Sequence, residues 1–109
     1  MTTEQASAQA YLADARNDQV LVYVNGKFAP RNEASVSVFD SGFVLGDGVW
    51  EGLRLVKGKL ISLDAHLDRL FEGARSIDLD IGLDRAGVTK VVTDTLAKNG
   101  MTTARTSAS

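Results

Sequence analysis

The dipeptide Asn25-Gly26, set between Val20-Leu21-Val22-Tyr23-Val24 and Lys27-Phe28-Ala29, constrains this chain more than any other feature. A two-residue turn whose backbone twist matches that of its flanking strands needs positive φ at both central positions, and Asn-Gly supplies them at the lowest steric cost. Residues 20–29 are therefore expected to form a β-hairpin. A second apolar run, Val49 to Val56, meets Lys57-Gly58 and returns through Lys59-Leu60-Ile61-Ser62-Leu63, which predicts a second hairpin. Between them, Asp40-Ser41-Gly42-Phe43-Val44-Leu45-Gly46-Asp47-Gly48 is punctuated by glycine and has room for one helical turn.

The pattern then changes period. Leu67, Leu70, Phe71, Ala74 and Ile77 recur at spacings of three and four, predicting a helix that buries one stripe, with Asp64 as its N-cap. Asp84 is expected to cap a second helix through Val88, Val91, Val92 and Leu96 that stops at Lys98 and Gly100. The order hairpin, hairpin, helix, helix defines an α+β fold, an antiparallel sheet of hairpins packed with two helices. Residues 1–18, with only Tyr11 and Leu12 as bulky apolar groups, are expected to be a mobile arm, and residues 101–109, rich in Ser, Thr and Ala, a disordered tail. Residues 19–100 are left as one domain.

Composition narrows the chemistry. The chain has 109 residues, no cysteine, one histidine and a formal net charge of -2. A disulfide framework, thiolate catalysis and thiolate metal sites are excluded, and no metal site is expected. Interspersed charges give no basic patch for nucleic acid, and no apolar run approaches membrane-spanning length. The first residues lack a basic and then apolar leader, so the expected compartment is the cytoplasm.

Two places could carry chemistry. Alternation sorts residues 49–56 into one face of Val49, Glu51, Leu53 and Leu55 and another of Trp50, Gly52, Arg54 and Val56. On the second face a large ring and a guanidinium flank bare backbone, where a flat or anionic ligand can approach closely. Equally, Trp50 can pack over the glycine and Arg54 can make a surface ion pair. On the first helix, opposite the apolar stripe, His66, Arg69 and Gly73 share one sector. A helix-interior glycine costs about 1 kcal/mol relative to alanine, so something is expected to pack closely at Gly73. An arginine fork beside such a site suits phosphate or carboxylate; the alternative is a solvated face on which Arg69 pairs with Asp68, Glu72 or Asp64.

Val22-Tyr23-Val24-Asn25-Gly26, Val36-Ser37-Val38-Phe39-Asp40, Phe43 to Arg54 and Leu63-Asp64-Ala65-His66-Leu67-Asp68-Arg69-Leu70 closely resemble the start of the class IV, or fold type IV, aminotransferases. These pyridoxal 5'-phosphate enzymes include branched-chain and D-amino acid aminotransferases and 4-amino-4-deoxychorismate lyases. The resemblance covers residues 20 to 100 and leans toward the branched-chain branch. It implies that Arg69 binds the cofactor phosphate, that Trp50 is the aromatic residue of the substrate pocket, and that Arg54 lies near that pocket. Leu45 stands where an often aromatic residue reaches into a neighbouring subunit's site. The resemblance further implies amino acid and 2-oxo acid substrates and a homo-oligomer.

It also implies what is lacking. The Schiff-base lysine and most of the phosphate cup belong to a second domain, and Lys27, Lys57, Lys59, Lys90 and Lys98 do not match the catalytic position. The family continues after the second helix with an apolar strand, whereas Thr102 to Ser109 does not. The expectation is a truncated or frame-shifted piece of the small domain, inactive alone, in which the cofactor does not bind stably and which self-associates. A non-catalytic binding or dimerisation module and an inert remnant are the alternatives.

Overall fold

A computed structural model describes residues 17–101, and the expected arm and tail lie almost wholly outside them. The chain divides between Ser35 and Val36 into two units.

In the first unit, strands β1 (Leu21–Val24) and β2 (Lys27–Pro30) pair antiparallel with Leu21 opposite Pro30 and Val24 opposite Lys27. Asn25 and Gly26 have φ of 51° and 85°, the two positive angles that the sequence demanded. Tyr23 and Phe28 face each other across the ladder with ring centroids 5.2 Å apart in an edge-to-face arrangement. Asp18 pairs with Arg31 at 3.7 Å, just beyond the far end of the ladder.

The second unit opens with a short helix, α1 (Ser41–Leu45), where the sequence had room for one turn. The Asp40 carboxylate caps it by accepting from the Gly42 N–H at 2.8 Å, and Gly46 closes it at φ 75°. The second hairpin is much shorter than expected. Only β3 (Leu55–Val56) and β4 (Lys59–Leu60) pair, closed by Lys57 and Gly58 at φ 50° and 79° and extended by one bond from the Ile61 N–H to the Arg54 carbonyl. The returning arm enters a helix at Leu63, so residues 49–53 have no strand left to pair with. The alternation nevertheless survives: Val49, Glu51, Leu53 and Leu55 are half-buried while Trp50, Gly52, Arg54 and Val56 are exposed.

Helix α2 (Leu63–Ser76) buries Leu67 and Ala74, each 3% exposed, with Leu70 and Phe71 half-buried beside them. Its N-cap is Ser62 at φ 54°, without a side-chain cap bond, and not Asp64. Asp64 lies in the first turn, where its charge complements the helix dipole and meets Arg85 Nη2 at 3.4 Å. Ile77 is exposed and ends the helix, since the Asp78 and Leu79 N–H groups fold back onto the Arg75 and Ala74 carbonyls, with Asp78 at φ 56°. Helix α3 (Arg85–Lys98) is capped as the sequence implied: the Asp84 carboxylate accepts from the Gly87 N–H at 2.7 Å. Gly100 at φ 69° turns the chain so that the Met101 N–H reaches the Leu96 carbonyl at 2.8 Å. Arg85 ties the helices together, donating to the Asp68 carboxylate at 2.8 Å and the Asp64 carbonyl at 2.9 Å.

Among the described residues the fold is α+β, with two separate two-stranded antiparallel sheets and one more short helix than the sequence required. No helix among the described residues is long and apolar enough to cross a membrane.

Candidate anion site

The unpaired residues 49–51 lie against α2, and the contacts there are made by side chains. A Cβ added at Gly73 would sit 3.3 Å from Val49 Cγ1, tighter than ordinary packing. The close approach expected at Gly73 is therefore real, and its occupant is Val49. One turn away, Glu51 Oε1 lies 2.5 Å from His66 Nδ1 and 3.1 Å from Arg69 Nη2. Arg69 Nε adds contacts of 3.3 and 3.5 Å to the two carboxylate oxygens. Arg69 does not pair with Asp68, Glu72 or Asp64; its partner is 18 residues away in sequence.

The two donors hold the Glu51 carboxyl below the usual carboxylate range, the hydrogen bond to His66 being the larger cause and that to Arg69 the next. An ionised carboxylate can only accept, so in this contact the Nδ1–H of His66 is the donor. The 3.0 Å approach of Arg69 Nη2 to His66 Nδ1 is then two donors converging on one oxygen. The Arg69 side chain is 56% exposed, and its Nη1 makes no hydrogen bond among the described residues. One edge of the guanidinium is thus occupied by Glu51, and the other faces outward.

The remaining site residues expected from the sequence are not gathered around Arg69. Trp50 is 85% exposed, and its ring lies over Gly52, where an added Cβ would be 3.7 Å from Cζ3. Arg54 is exposed, has no ion pair among the described residues, and lines an apolar groove of about 490 Å³ with Leu53, Leu60, Val91, Leu96 and Met101. Neither Trp50 nor Leu45 lines that groove, and Leu45 is exposed on α1. All five lysines are exposed, and no His, Asp or Glu cluster among the described residues could hold a metal.

Glu51 is the residue that sequence reasoning passed over. Its signal was present, since it is the one charged side chain on the face shared by Val49, Leu53 and Leu55.

An arginine held along one edge and open along the other can accept an anion on its open edge. The relatives of the chain are more specific. No family model matches it. It is 46% identical over 85 residues to a branched-chain-amino-acid aminotransferase-like protein 1 of Arabidopsis thaliana, covering 78% of this chain and 15% of that protein. A Methanocaldococcus jannaschii protein, provisionally named a branched-chain-amino-acid aminotransferase, is 44% identical over 80 residues, 73% of this chain and 28% of its own length. A D-alanine aminotransferase of Staphylococcus haemolyticus is 39% identical over 80 residues, with the same coverage of 73% and 28%. In sequence, the chain is similar to part of branched-chain and D-alanine aminotransferases, and it spans between about a seventh and somewhat over a quarter of these relatives' lengths.

Proposed function

We propose that the chain furnishes one wall of a pyridoxal 5'-phosphate site in an aminotransferase, with Arg69 as a phosphate-binding residue, and that it is inactive alone. The observation carrying this reading is the outward guanidinium edge of Arg69. Guanidinium chemistry fits a phosphate, whose oxygens accept in the plane of the fork. When bound, the cofactor supplies the electron sink for moving an amino group between an amino acid, here of branched-chain type, and a 2-oxo acid. The residues of this chain bind and orient. Arg69 offers charge and direction, Trp50 an exposed ring for an apolar substrate group, Arg54 a cation without an ion pair among the described residues for a substrate carboxylate, and Leu45 an apolar contact for a neighbouring subunit. Val36, Val38, Phe39, Phe43 and Val44, all exposed, support self-association of a cytoplasmic protein.

A second reading, a non-catalytic binding or dimerisation module, is favoured by the exposure of every lysine, because a lysine activated for covalent chemistry needs a desolvated site. Two measurements test the assignment. In an intact protein carrying this segment, Arg69→Ala should weaken pyridoxal 5'-phosphate binding by about 1.5–3 kcal/mol and Arg69→Lys by less. Arg75→Ala is the control, and equal effects of the two alanine variants remove Arg69 from the site. Borohydride treatment of the 109-residue chain alone should trap no adduct at a single lysine; a specific adduct would overturn the proposed inactivity.

A further inference from the structure

We propose that Glu51 is the positioning residue for Arg69, locked in turn by the His66 Nδ1–H, so that the arginine meets an anion through Nη1 and the outer N–H of Nη2. The proposal rests on the assignment of Arg69 as an anion-binding residue.

Three features of the geometry carry it. First, the Arg69 side chain is more than half exposed, and an exposed arginine ordinarily samples many rotamers, which any anion must freeze before the fork is useful. Second, Glu51 takes the Nε and Nη2 side of the fork, at 3.3 and 3.1 Å to one oxygen. A carboxylate on that side leaves the opposite edge as the one direction in which two N–H groups remain parallel. Third, Glu51 is itself fixed. Its side chain is only about one-fifth exposed, residues 49–51 are pressed onto α2 by the Val49–Gly73 contact, and His66 spends its Nδ1 proton on the oxygen shared with Arg69. Of the acids nearest in sequence, Asp64 and Asp68 are engaged by Arg85, and Glu72 makes no ion pair with Arg69. An anion then gains a pre-ordered donor pair, at the cost of a negative charge on its far side.

That cost makes the proposal testable, because charge and positioning predict opposite signs. Removing Glu51 deletes a like charge near the anion and by electrostatics alone should tighten binding. If Glu51 acts by positioning, its removal should weaken binding. The experiment follows side-chain ¹⁵N resonances of arginine in the full chain during titration with inorganic phosphate, in the wild type, Glu51→Gln and Glu51→Ala. Backbone amide protection in α2 shows that each variant is folded, and Glu51→Gln, which keeps shape and one acceptor, supplies an intermediate should Glu51→Ala unfold. The Arg69 Nε–H of the wild type is expected to exchange more slowly than that of exposed Arg75, and to approach the Arg75 rate in Glu51→Ala. Phosphate affinity at Arg69 should fall about 3- to 10-fold in Glu51→Ala, the cost of ordering one long side chain, and less in Glu51→Gln. Unchanged or tighter phosphate binding in a folded Glu51→Ala overturns the positioning role. A wild type whose Arg69 Nε–H is protected but indifferent to phosphate overturns the anion assignment instead.

Discussion

The two hairpins of this chain carry turns of the same type yet are held in different ways. Strands β1 and β2 pair over four residues each and add the Tyr23–Phe28 ring contact, so the ladder and the cross-strand pair define the element. Strands β3 and β4 pair over only two, and the arm that precedes β3 runs from Val49 to Arg54 almost without backbone partners among the described residues. That arm keeps its in-and-out alternation because α2 stands in for a strand, meeting Val49 with Gly73 and Glu51 with His66 and Arg69. A ladder satisfies backbone groups and is indifferent to most side chains, whereas an arm held by side chains is specific to them and places them on a helix face. The candidate site lies in the second kind of structure.

The largest effect that could break this contrast is loss of α2. Leu67→Ala empties the position of the larger of the helix's two buried side chains, and about 2–5 kcal/mol of stability is expected to go with it, read by urea denaturation. Slow exchange of the Arg69 Nε–H should disappear in the same variant; protection that persists would mean that the arm is held from elsewhere.

The turns give a sharper test at smaller cost. Gly26→Val and Gly58→Val each force a β-branched residue into the left-handed region, at φ of 85° and 79°, for about 1–2 kcal/mol. Gly26→Val should release the amides of the β1–β2 ladder. Gly58→Val should open the Leu55–Leu60 pairing and yet leave Glu51 on Arg69, and loss of both together would contradict side-chain support of the arm.

Gly73→Ala sets two terms of opposite sign against each other. The helix gains about 1 kcal/mol, and the new methyl group crowds Val49 at 3.3 Å. The net change should be within about 1 kcal/mol of zero, and Val49→Ala should convert it into a gain in thermal stability, a coupling that a double-mutant cycle measures. Additive effects would show that Val49 and Gly73 do not press on each other.

The smallest effect is that of acid. Because the Glu51 carboxyl is depressed in the folded chain, its contribution is fully present above the ordinary unfolded carboxylate value of about 4.3 and is lost as pH falls through the lower folded value. Glu51→Gln should flatten the pH dependence of stability in that acidic window alone, and an identical acid limb in the variant would show that the carboxylate is not engaged.

Much of this was legible in the residues. Asn25-Gly26 and Lys57-Gly58 required positive φ and received it, Asp84 and Gly100 bounded α3, and Gly73 marked a close approach. These are local properties, fixed by steric limits on one or two dihedral angles and by side-chain caps within a few residues, which is why the sequence by itself determined them. The tertiary structure alone decided how far β3 extends, that Ser62 and not Asp64 caps α2, and that the partner of Arg69 is Glu51. Each depends on what stands opposite in space. A strand ends where its partner leaves to become a helix, and an arginine pairs with whichever carboxylate the packing of the arm brings within reach, here one 18 residues away that no helical or strand period connects to it.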